Sequence, residues 1–455
     1  MSEVSEVNVD IDAWFQNKKE QINRFNAINV FGRVTGVGGI LLECHLPSAR
    51  LGDLCMVQGK SEEPIMAEIV GFTPDNVLLS ALSQVDGIAQ GARVTPLYVA
   101  HSIVTNDNLL GCVLDGFGRA IEPGGIDAFT IPGESQTYTQ VISDPPLPTD
   151  RPRIDSPLVT GIRAIDGLLT IGLGQRVGVF AGAGCGKTTL LAELARNTPC
   201  DVIVFGLIGE RGRELREFLD HELDETLRSR TVMVCSTSDR SSMERARAAF
   251  TATAIAESYR DKGKNVLLIL DSLTRFARAQ REIGLALGEP PGRGGLPPSV
   301  YTLLPKLLER AGRTNTGSIT AFYSVLIESD SMNDPVADEV RSLIDGHIIL
   351  TRKLAEKGHY PAIDILASLS RTMTNVVDNH HMKQATSVRR LMAAYKQVEM
   401  LLRLGEYQKG NDNFTDAAVE AQDYIANFLQ QSNRLPCPYD KTRNELDVLS
   451  HYAKV

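Results

Sequence analysis

The sequence predicts an α/β protein with a small N-terminal β-barrel, a central domain around a mostly parallel sheet, and a C-terminal α-helical domain. Short β-branched runs punctuated by Gly, Pro, Asn and Asp fill residues 26–97, as in a small all-β unit. Between residues 158 and 350, continuous apolar runs alternate with helical patterns, which is typical of strands buried on both faces of a parallel sheet. From about residue 380, apolar residues recur at three- and four-residue spacing, which predicts helices.

Composition limits the class of protein. The chain has 455 residues, of which 43% are hydrophobic and 23% charged, as in a globular protein of two or three domains. A net charge of −9 disfavours binding to nucleic acid, because the chain as a whole should repel phosphate backbones. The acidic start, MSEVSEVNVD, does not resemble a secretory signal. Seven scattered cysteines without CxxC spacing indicate reduced thiols, and so a cytoplasmic protein.

The predicted domains follow these changes in pattern. Residues 1–25 form an amphipathic helix or tail, which either packs on its own chain or docks a partner protein. Its apolar positions are Ile11, Trp14, Phe15, Ile22 and Phe25. The barrel is assigned to residues 26–97, the central domain to 98–380 and the helical domain to 381–455. A proline-rich stretch at 145–157 is interpreted as an ordered linker.

Residues 177–191 read VGVFAGAGCGKTTLL and carry the strongest functional signal. A strand, a glycine-rich turn, a lysine and a threonine in this order form a phosphate-binding loop (P-loop). Glycines let backbone N–H groups face the phosphates, Lys187 supplies a positive charge, and Thr188 offers a hydroxyl to Mg²⁺. The loop departs from the usual pattern because Ala181 replaces the first glycine. The sequence therefore predicts ATP and Mg²⁺ as ligands, with nucleotide contacts from Gly182, Ala183, Gly184, Cys185, Gly186, Lys187, Thr188 and Thr189.

Cys185 is open to two interpretations. It lies inside the predicted loop, so its alkylation or oxidation would block ATP binding, and bound ATP would protect it. Alternatively, it is a small residue that fills space.

Two carboxylates follow apolar strands. Asp271 ends NVLLILD, and Glu210 comes directly after DVIVFGLIG. If the two strands are neighbours, both side chains project over the loop, with Asp271 assisting the metal and Glu210 orienting the attacking water. Alternatively, Glu210 only interacts with a helix N-terminus. Arg211 and Arg275 either contact the γ-phosphate or pair with these acids.

These segments resemble the ATPases of type III protein secretion, and less closely the catalytic β subunit of rotary ATP synthases. The resemblance runs from about residue 26 to 430 and is carried by TGIRAIDGLLTIGLGQRVGVFAGAGCGKTTLL, LIGERGRELREF, TSDRSSMERARAAFTATAIAE, VLLILDSLTRFARAQREIGLALGEPPGRGG, GSITAFYSVLIESDSMNDPVADEVRSLIDGHIILTR and HYPAIDILASLSR. Secretion ATPases share the alanine at the position of Ala181. The resemblance implies a RecA-like central domain.

The resemblance also implies roles that spacing alone does not give. Arg371 would reach into a neighbouring subunit's site, Tyr360 would stack on adenine, and residues 330–334 would face a central stalk. Glu210 would be the catalytic carboxylate and Asp271 the metal-linked acid. Without the resemblance, we would interpret Tyr360 as a core aromatic residue and Arg371 as part of a surface ion pair. A trans-acting arginine requires a ring, here a homohexamer with active sites between subunits.

The function implied is an ATP-hydrolysing motor that energises chaperone release, unfolding and export of secreted proteins. Its expected partners are a central coiled-coil stalk protein, a stator or regulator at the N-terminus, chaperone–effector complexes and the export gate at the inner membrane. We expect the protein in the cytoplasm, peripherally bound to the secretion apparatus. The stretch TSDRSSMERARAAF favours a virulence injectisome over flagellar export, which is the alternative.

Other classes of function fit less well. A hexameric RNA translocase shares the core, but residues 26–97 contain few cations and many acids. The cations are Arg33, Arg50, Lys60 and Arg93, against Glu43, Asp53, Glu62, Glu63, Glu68, Asp75 and Asp86. A non-catalytic ring subunit would lack Glu210. Ala181 and the TSDRSSMERARAAFTATAIAE stretch disfavour an ATP synthase subunit.

Overall fold

The structure is a computed structural model that describes residues 30–59, 64–83, 87–132, 137–327 and 334–454. The predicted N-terminal helix, residues 1–25, lies outside the described residues. The barrel strands form one compact unit, and the elements after them form another. This arrangement confirms the predicted fold class, whereas the predicted domain boundaries stay predictions.

The N-terminal unit is a closed β-barrel with strand order β1-β2-β5-β4-β3-β6. Its interior is apolar, and Val34, Leu42, Ile69 and Leu79 are almost fully buried in it. Buried and exposed residues alternate along β1, as expected for a strand with one face on a core. The strands are β1 (Gly32–Gly38), β2 (Leu41–His45), β3 (Asp53–Val57), β4 (Ile65–Phe72), β5 (Val77–Ala81) and β6 (Arg93–Ala100).

Short strands connect the barrel to the central sheet along the sequence. They are β7 (Ser102–Ile103), β8 (Val113–Leu114), β9 (Phe129–Thr130), β10 (Thr139–Gln140), β11 (Pro157–Leu158) and β12 (Ile171–Gly172). Strand β7 pairs with β9 and β10, and β11 pairs with β12.

The parallel strands of the central sheet have their carboxyl ends at the same edge of the sheet. Its order is β20-β19-β13-β18-β16-β14-β15-β8, with β17 paired to β18. All pairs from β19 to β8 are parallel, whereas β20 and β17 are antiparallel. The strands are β13 (Arg176–Ala181), β14 (Val202–Glu210), β15 (Thr231–Thr237), β16 (Asn265–Asp271), β17 (Gly312–Arg313), β18 (Ser318–Leu326), β19 (Gly346–Leu350) and β20 (Leu369–Ser370). Because β14 and β16 are parallel neighbours, their carboxyl ends meet, as the sequence predicts.

Helices cover this sheet and follow it. They are α1 (Arg163–Leu168), α2 (Lys187–Asn197), α3 (Gly212–His221), α4 (Glu225–Arg228), α5 (Ser242–Asp261), α6 (Leu273–Ala286), α7 (Pro298–Leu308), α8 (Pro335–Leu343), α9 (Arg352–Glu356), α10 (Met373–Val376), α11 (Asn379–Leu404), α12 (Asn413–Leu429) and α13 (Tyr439–Ser450). Within the described ranges, none of them is long and apolar enough to cross a membrane.

The C-terminal helices share a core with the sheet. Leu391 of α11 and Ile425 of α12 are almost fully buried in the cluster that contains Val179 of β13 and Leu191 of α2. The first predicted helix of the C-terminal domain, α11, ends where expected, before Gly405. The φ of Gly405 is 73°, in the left-handed region that glycine favours. Helix α13 was not predicted from the sequence.

Candidate functional site

The predicted phosphate loop joins the central parallel strand β13 to helix α2. The strand ends at Ala181 and the helix begins at Lys187. Gly184 and Gly186 have φ angles of 79° and 81°, a conformation that residues with a Cβ rarely adopt. The loop can therefore turn its N–H groups toward an anion in front of the helix N-terminus.

Lys187 lies between two carboxylates. Its Nζ contacts Asp271 Oδ1 and lies 4.0 Å from Glu210 Oε1. Asp271, at the end of β16, also accepts a hydrogen bond of 2.6 Å from the Ser324 hydroxyl of β18. All three charged side chains are at least 85% buried, with exposed fractions of 11%, 14% and 5% for Lys187, Glu210 and Asp271. The structure thus brings together three predicted site residues from different elements.

A β-bulge directs Glu210 toward the loop. The pairing of β14 with β15 shifts register between Ile208 and Glu210, and the intervening Gly209 has a φ of 67°. Glu210 Oε2 forms an ion pair with Arg275 Nη2 at 3.2 Å. Arg275 belongs to the first turn of α6, which Ser272 caps. Arg275 therefore pairs with Glu210. This is one of the two roles that the sequence predicts for the arginine.

The surroundings of Glu210 raise its pKa from 4.5 to about 7. Burial is the largest cause, followed by the charge of Asp271 and a hydrogen bond with Glu214. The positive charges of Lys187 and Arg275 act in the opposite direction. A carboxylate whose pKa is near neutral is suited to exchange protons with water during catalysis.

A small cavity of about 30 Å³ joins Thr188, Glu210 and Asp271. Its other walls are mainly apolar side chains of α2, α3 and β14. One hydroxyl and two carboxylates are oxygen ligands that suit Mg²⁺, which is usually held by few protein groups together with phosphates and waters. The residues fit such an ion, although the described part of the chain contains no cage of three or more acidic, His or Cys side chains.

A larger pocket of about 280 Å³ adjoins the loop and shares no lining residue with the small cavity. Tyr360 lines it with 43% of its surface exposed, and its ring lies beside Gly186. Cys185 and Thr189 also line the pocket, although Cys185 is only 1% exposed. Its lining residues are Ile162, Gly184, Cys185, Gly186, Thr189, Leu190, Glu193, Leu350, Tyr360, Pro361, Ala362, Gln431, Ser432 and Asn433. The position suits a nucleoside attached to phosphates in the loop.

One wall of this pocket could not be predicted from the sequence. Gln431, Ser432 and Asn433 follow α12 and reach the pocket from the C-terminal helices. The backbone N–H of Gln431 donates to Tyr360 O at 2.9 Å, and its side chain donates to Gly161 O at 2.7 Å. This short polar loop has no motif that would identify it, because its role depends on tertiary packing.

Two predicted arginines, Arg211 and Arg371, are exposed at the surface of the chain. Arg211, just before α3, is 78% exposed and pairs with Glu214 at 3.2 Å, rather than with Glu210 or Asp271. Arg371 is exposed and follows the edge strand β20. It lines neither of the two cavities described above. Of residues 330–334, only Asp334 is described, and it caps α8 by accepting from Ala337 N at 2.9 Å.

Comparison with known families gives consistent matches along the chain. The ATP synthase alpha/beta family, nucleotide-binding domain, matches residues 161–370, and the beta-barrel domain of that family matches residues 34–97. The T3SS EscN ATPase C-terminal domain matches residues 377–447.

Individual relatives cover nearly the whole chain. The "Type 3 secretion system ATPase" of Pseudomonas syringae pv. tomato is 63% identical over 97% of this chain and 98% of its own length. The "Flagellum-specific ATP synthase" of Bacillus subtilis is 44% identical over 92% and 95%. Among solved structures, the assembled ATPase EscN of enteropathogenic E. coli has a TM-score of 0.86 and 47% identity, over 92% of this chain and 100% of that one. EscN in complex with its central stalk EscO has a TM-score of 0.83 and 46% identity, with the same coverage.

Proposed function

This chain belongs to the type 3 secretion ATPases of the ATP synthase α/β family, and we propose that its ATPase activity drives protein export through a homohexamer with active sites between subunits. The observation that carries the proposed mechanism is the convergence of Lys187, Asp271, Glu210 and Arg275 beside the phosphate loop. A cluster of ion pairs that only stabilised the fold would need neither a glycine-rich turn nor a nucleoside-sized pocket beside it.

The proposed mechanism assigns each residue one task. The loop N–H groups and Lys187 hold the β- and γ-phosphates, and the base lies against Tyr360. Glu210 orients the attacking water and accepts its proton, while Arg275 fixes the carboxylate of Glu210. Mg²⁺, held by Thr188 and linked to Asp271, would neutralise charge on the phosphates. The near-neutral pKa of Glu210 supports its part in this scheme.

Arg371 completes the site of the next subunit in this proposal. Its exposed position at the sheet edge, outside the chain's own cavities, supports a role in trans. Cations that reach a transferring phosphoryl group from a second protein or subunit raise rates by roughly 10³–10⁵-fold in other systems. The EscN relative has been solved in an assembled state, which supports a ring for this chain.

The proposed stalk partner is supported by one of the same relatives. EscN forms a complex with the central stalk EscO, and we infer that this chain engages a coiled-coil stalk through residues 330–334. The C-terminal helices would receive chaperone–effector complexes, and residues 1–25 would bind a stator or regulator. The ring would lie at the cytoplasmic side of the export gate in the inner membrane. The flagellar alternative is less supported, because the flagellar relative is 44% identical and the secretion relative is 63% identical.

The test is the ATP hydrolysis rate of the full chain measured against chain concentration, with a coiled-coil stalk protein or with RNA added. We expect the specific rate to rise as the ring assembles and to rise further with the stalk protein. A specific rate independent of dilution, or stimulation by RNA alone, would contradict the proposal.

A further inference from the structure

Gln175 is a fully buried polar residue directly before strand β13, far in sequence from Arg371. It follows the turn after β12 and begins the stretch that runs through β13 to the phosphate loop. A buried amide is costly unless all its polar atoms are hydrogen-bonded, so its partners indicate what it holds in place.

The partners of Gln175 lie on both sides of Arg371. Its Oε1 accepts from the Thr372 hydroxyl and, at 2.8 Å, from Gly172 N. Its Nε2 donates to Asp345 O at 3.0 Å and to the Ser370 hydroxyl at 3.3 Å. Since Gly172 N–H can only donate and Asp345 C=O can only accept, the amide has one possible orientation. Its two donor and two acceptor positions are thereby filled.

The backbone of Arg371 is tied to the same group. Arg371 N donates to Asp345 O at 2.9 Å, the carbonyl that also accepts from Gln175. The Asp345 carboxylate is in turn held by Arg176, with Nε and Nη2 distances of 3.0 Å. The Ser370 hydroxyl donates onward to Thr170 O at 2.8 Å. The residues before and after Arg371 are therefore fixed by buried and partly buried hydrogen bonds, while Arg371 itself is exposed.

We infer that Gln175 is a positioning residue for Arg371, which fixes the backbone from which this arginine reaches the active site of the neighbouring subunit. This inference rests on the proposed trans role of Arg371. Gln175 acts on the neighbour's site, although it stands six residues before Ala181 of its own subunit's phosphate loop. A displacement of a catalytic group by about 1 Å can lower a rate by up to roughly 10²-fold, so precise support of the Arg371 backbone matters for turnover.

The first test compares three full-length variants. Gln175→Met keeps the size and removes the amide, and we expect kcat to fall roughly tenfold or more with KM nearly unchanged. Thr372→Val removes one of the hydrogen bonds and should lower kcat by a smaller factor.

Thr320→Val is the matched control, because its buried hydroxyl accepts from Gly174 N at 2.8 Å in the same turn without contacting the Arg371 segment. Its kcat should equal that of the unchanged chain. An equal loss of kcat in Thr320→Val and Thr372→Val, or loss of nucleotide binding in Gln175→Met, would overturn the inference.

The second test uses mixed rings and separates positioning from general damage to the fold. Gln175→Met chains are combined with Lys187→Ala chains before assembly. The Lys187→Ala chain cannot hold phosphate but offers a correctly held Arg371, so its addition should raise the total rate. Addition of Arg371→Ala chains should not. If the Lys187→Ala chain gives no increase here but does restore activity to Arg371→Ala chains, the role of Gln175 is wrong and the trans site stands. If it restores neither, the trans site itself is wrong.

Discussion

At the level of single residues, the ion pair between Lys187 and Asp271 lies at the centre of the candidate site. Both side chains are largely buried, and Ser324 provides a further hydrogen bond to the same carboxylate oxygen. In the proposed mechanism, a phosphate in the loop would compete with Asp271 for the ammonium group of Lys187, which would leave the carboxylate of Asp271 available to the metal.

Glu210→Gln tests whether Glu210 is the catalytic carboxylate. The amide keeps the size of the side chain but cannot accept a proton, so we expect ATP hydrolysis to fall by roughly 10²-fold or more while nucleotide binding persists. Binding of a fluorescent ATP analogue and phosphate release measure the two properties separately. Glu217→Gln on the exposed face of α3, where Glu217 pairs with Arg213 at 3.4 Å, is the matched control and should be unaffected. Similar rates for the two variants would exclude Glu210 as the base.

The pH profile follows from the raised pKa of Glu210. Burial, Asp271 and Glu214 favour the protonated acid, so the carboxylate that acts as a base is lost as pH falls through about 7. We expect kcat/KM, measured from initial rates over a range of Mg·ATP concentrations, to rise between about pH 6 and pH 8. In Glu214→Gln, an amide that can donate N–H to ionised Glu210 replaces the carboxyl group whose hydrogen bond raises this pKa, so the midpoint should move to lower pH. An unchanged midpoint in Glu214→Gln would contradict this explanation.

The site residues that could be predicted from the sequence are those that belong to a contiguous motif or follow an apolar strand directly. The phosphate loop is contiguous, and Glu210 and Asp271 end apolar strands that parallel pairing brings together. Gln175 and Gln431 could not be identified, because their contacts join segments about 195 and 270 residues apart. Tyr360 and Arg371 were named through family resemblance alone, and their roles remain proposals.

At the level of elements, the bulge before Glu210 aims the side chain at the loop. The backbone of Gly209 lies in the left-handed region, and a Cβ there would approach Arg275 Cδ to 3.1 Å. We expect Gly209→Ala to lower the free energy of unfolding by about 1–2 kcal/mol, the cost of that conformation for a residue with a Cβ. It should also lower ATP hydrolysis, because Arg275 must move away from Glu210.

Gly212→Ala is the matched control for this prediction. Gly212 begins α3, and a Cβ there would meet nothing within 4 Å. Urea unfolding and ATP hydrolysis of both variants provide the measurement. Equal stability of the two variants would show that the bulge does not require glycine.

The C-terminal helices show where sequence patterns are insufficient. The strong apolar spacing of α11 and α12 identified both helices, whereas α13 was missed. Helix α13 buries Leu446 and Leu449 against the larger core, but polar and charged residues surround these positions in the sequence. Its place in the fold therefore depends on tertiary contacts rather than on a clear amphipathic pattern.

At the level of the whole molecule, one buried histidine makes stability depend on pH. His101 is 3% exposed, and its Nε2 lies 2.9 Å from Phe117 O. Burial, with the nearby charge of Arg247, lowers its pKa from 6.5 to about 3. Below pH 6.5 the unfolded chain therefore binds a proton at this position that the folded chain does not, and stability falls as pH falls toward 3.

His101→Gln measures this contribution. Between pH 6.5 and pH 5, we expect the unchanged chain to lose about 1.6 kcal/mol more stability than the variant, because the unfolded imidazole is already half protonated at pH 6.5 and the full slope of 1.36 kcal/mol per pH unit is reached only below it. The measurement is the urea unfolding midpoint at each pH. The same decline in both proteins would mean that His101 is not the group responsible.

The central claim is that one subunit binds ATP and its neighbour supplies the arginine, and mixed rings test it most directly. Arg371→Ala and Lys187→Ala chains are each expected to be inactive alone. When equal amounts are combined before assembly, about a quarter of the sites in a random ring contain an intact Lys187 beside a neighbour's intact Arg371. If the claim is correct, we expect the mixture to hydrolyse ATP at about a quarter of the unchanged ring's rate. A mixture as inactive as its two components, in rings shown to contain both chains, would contradict it.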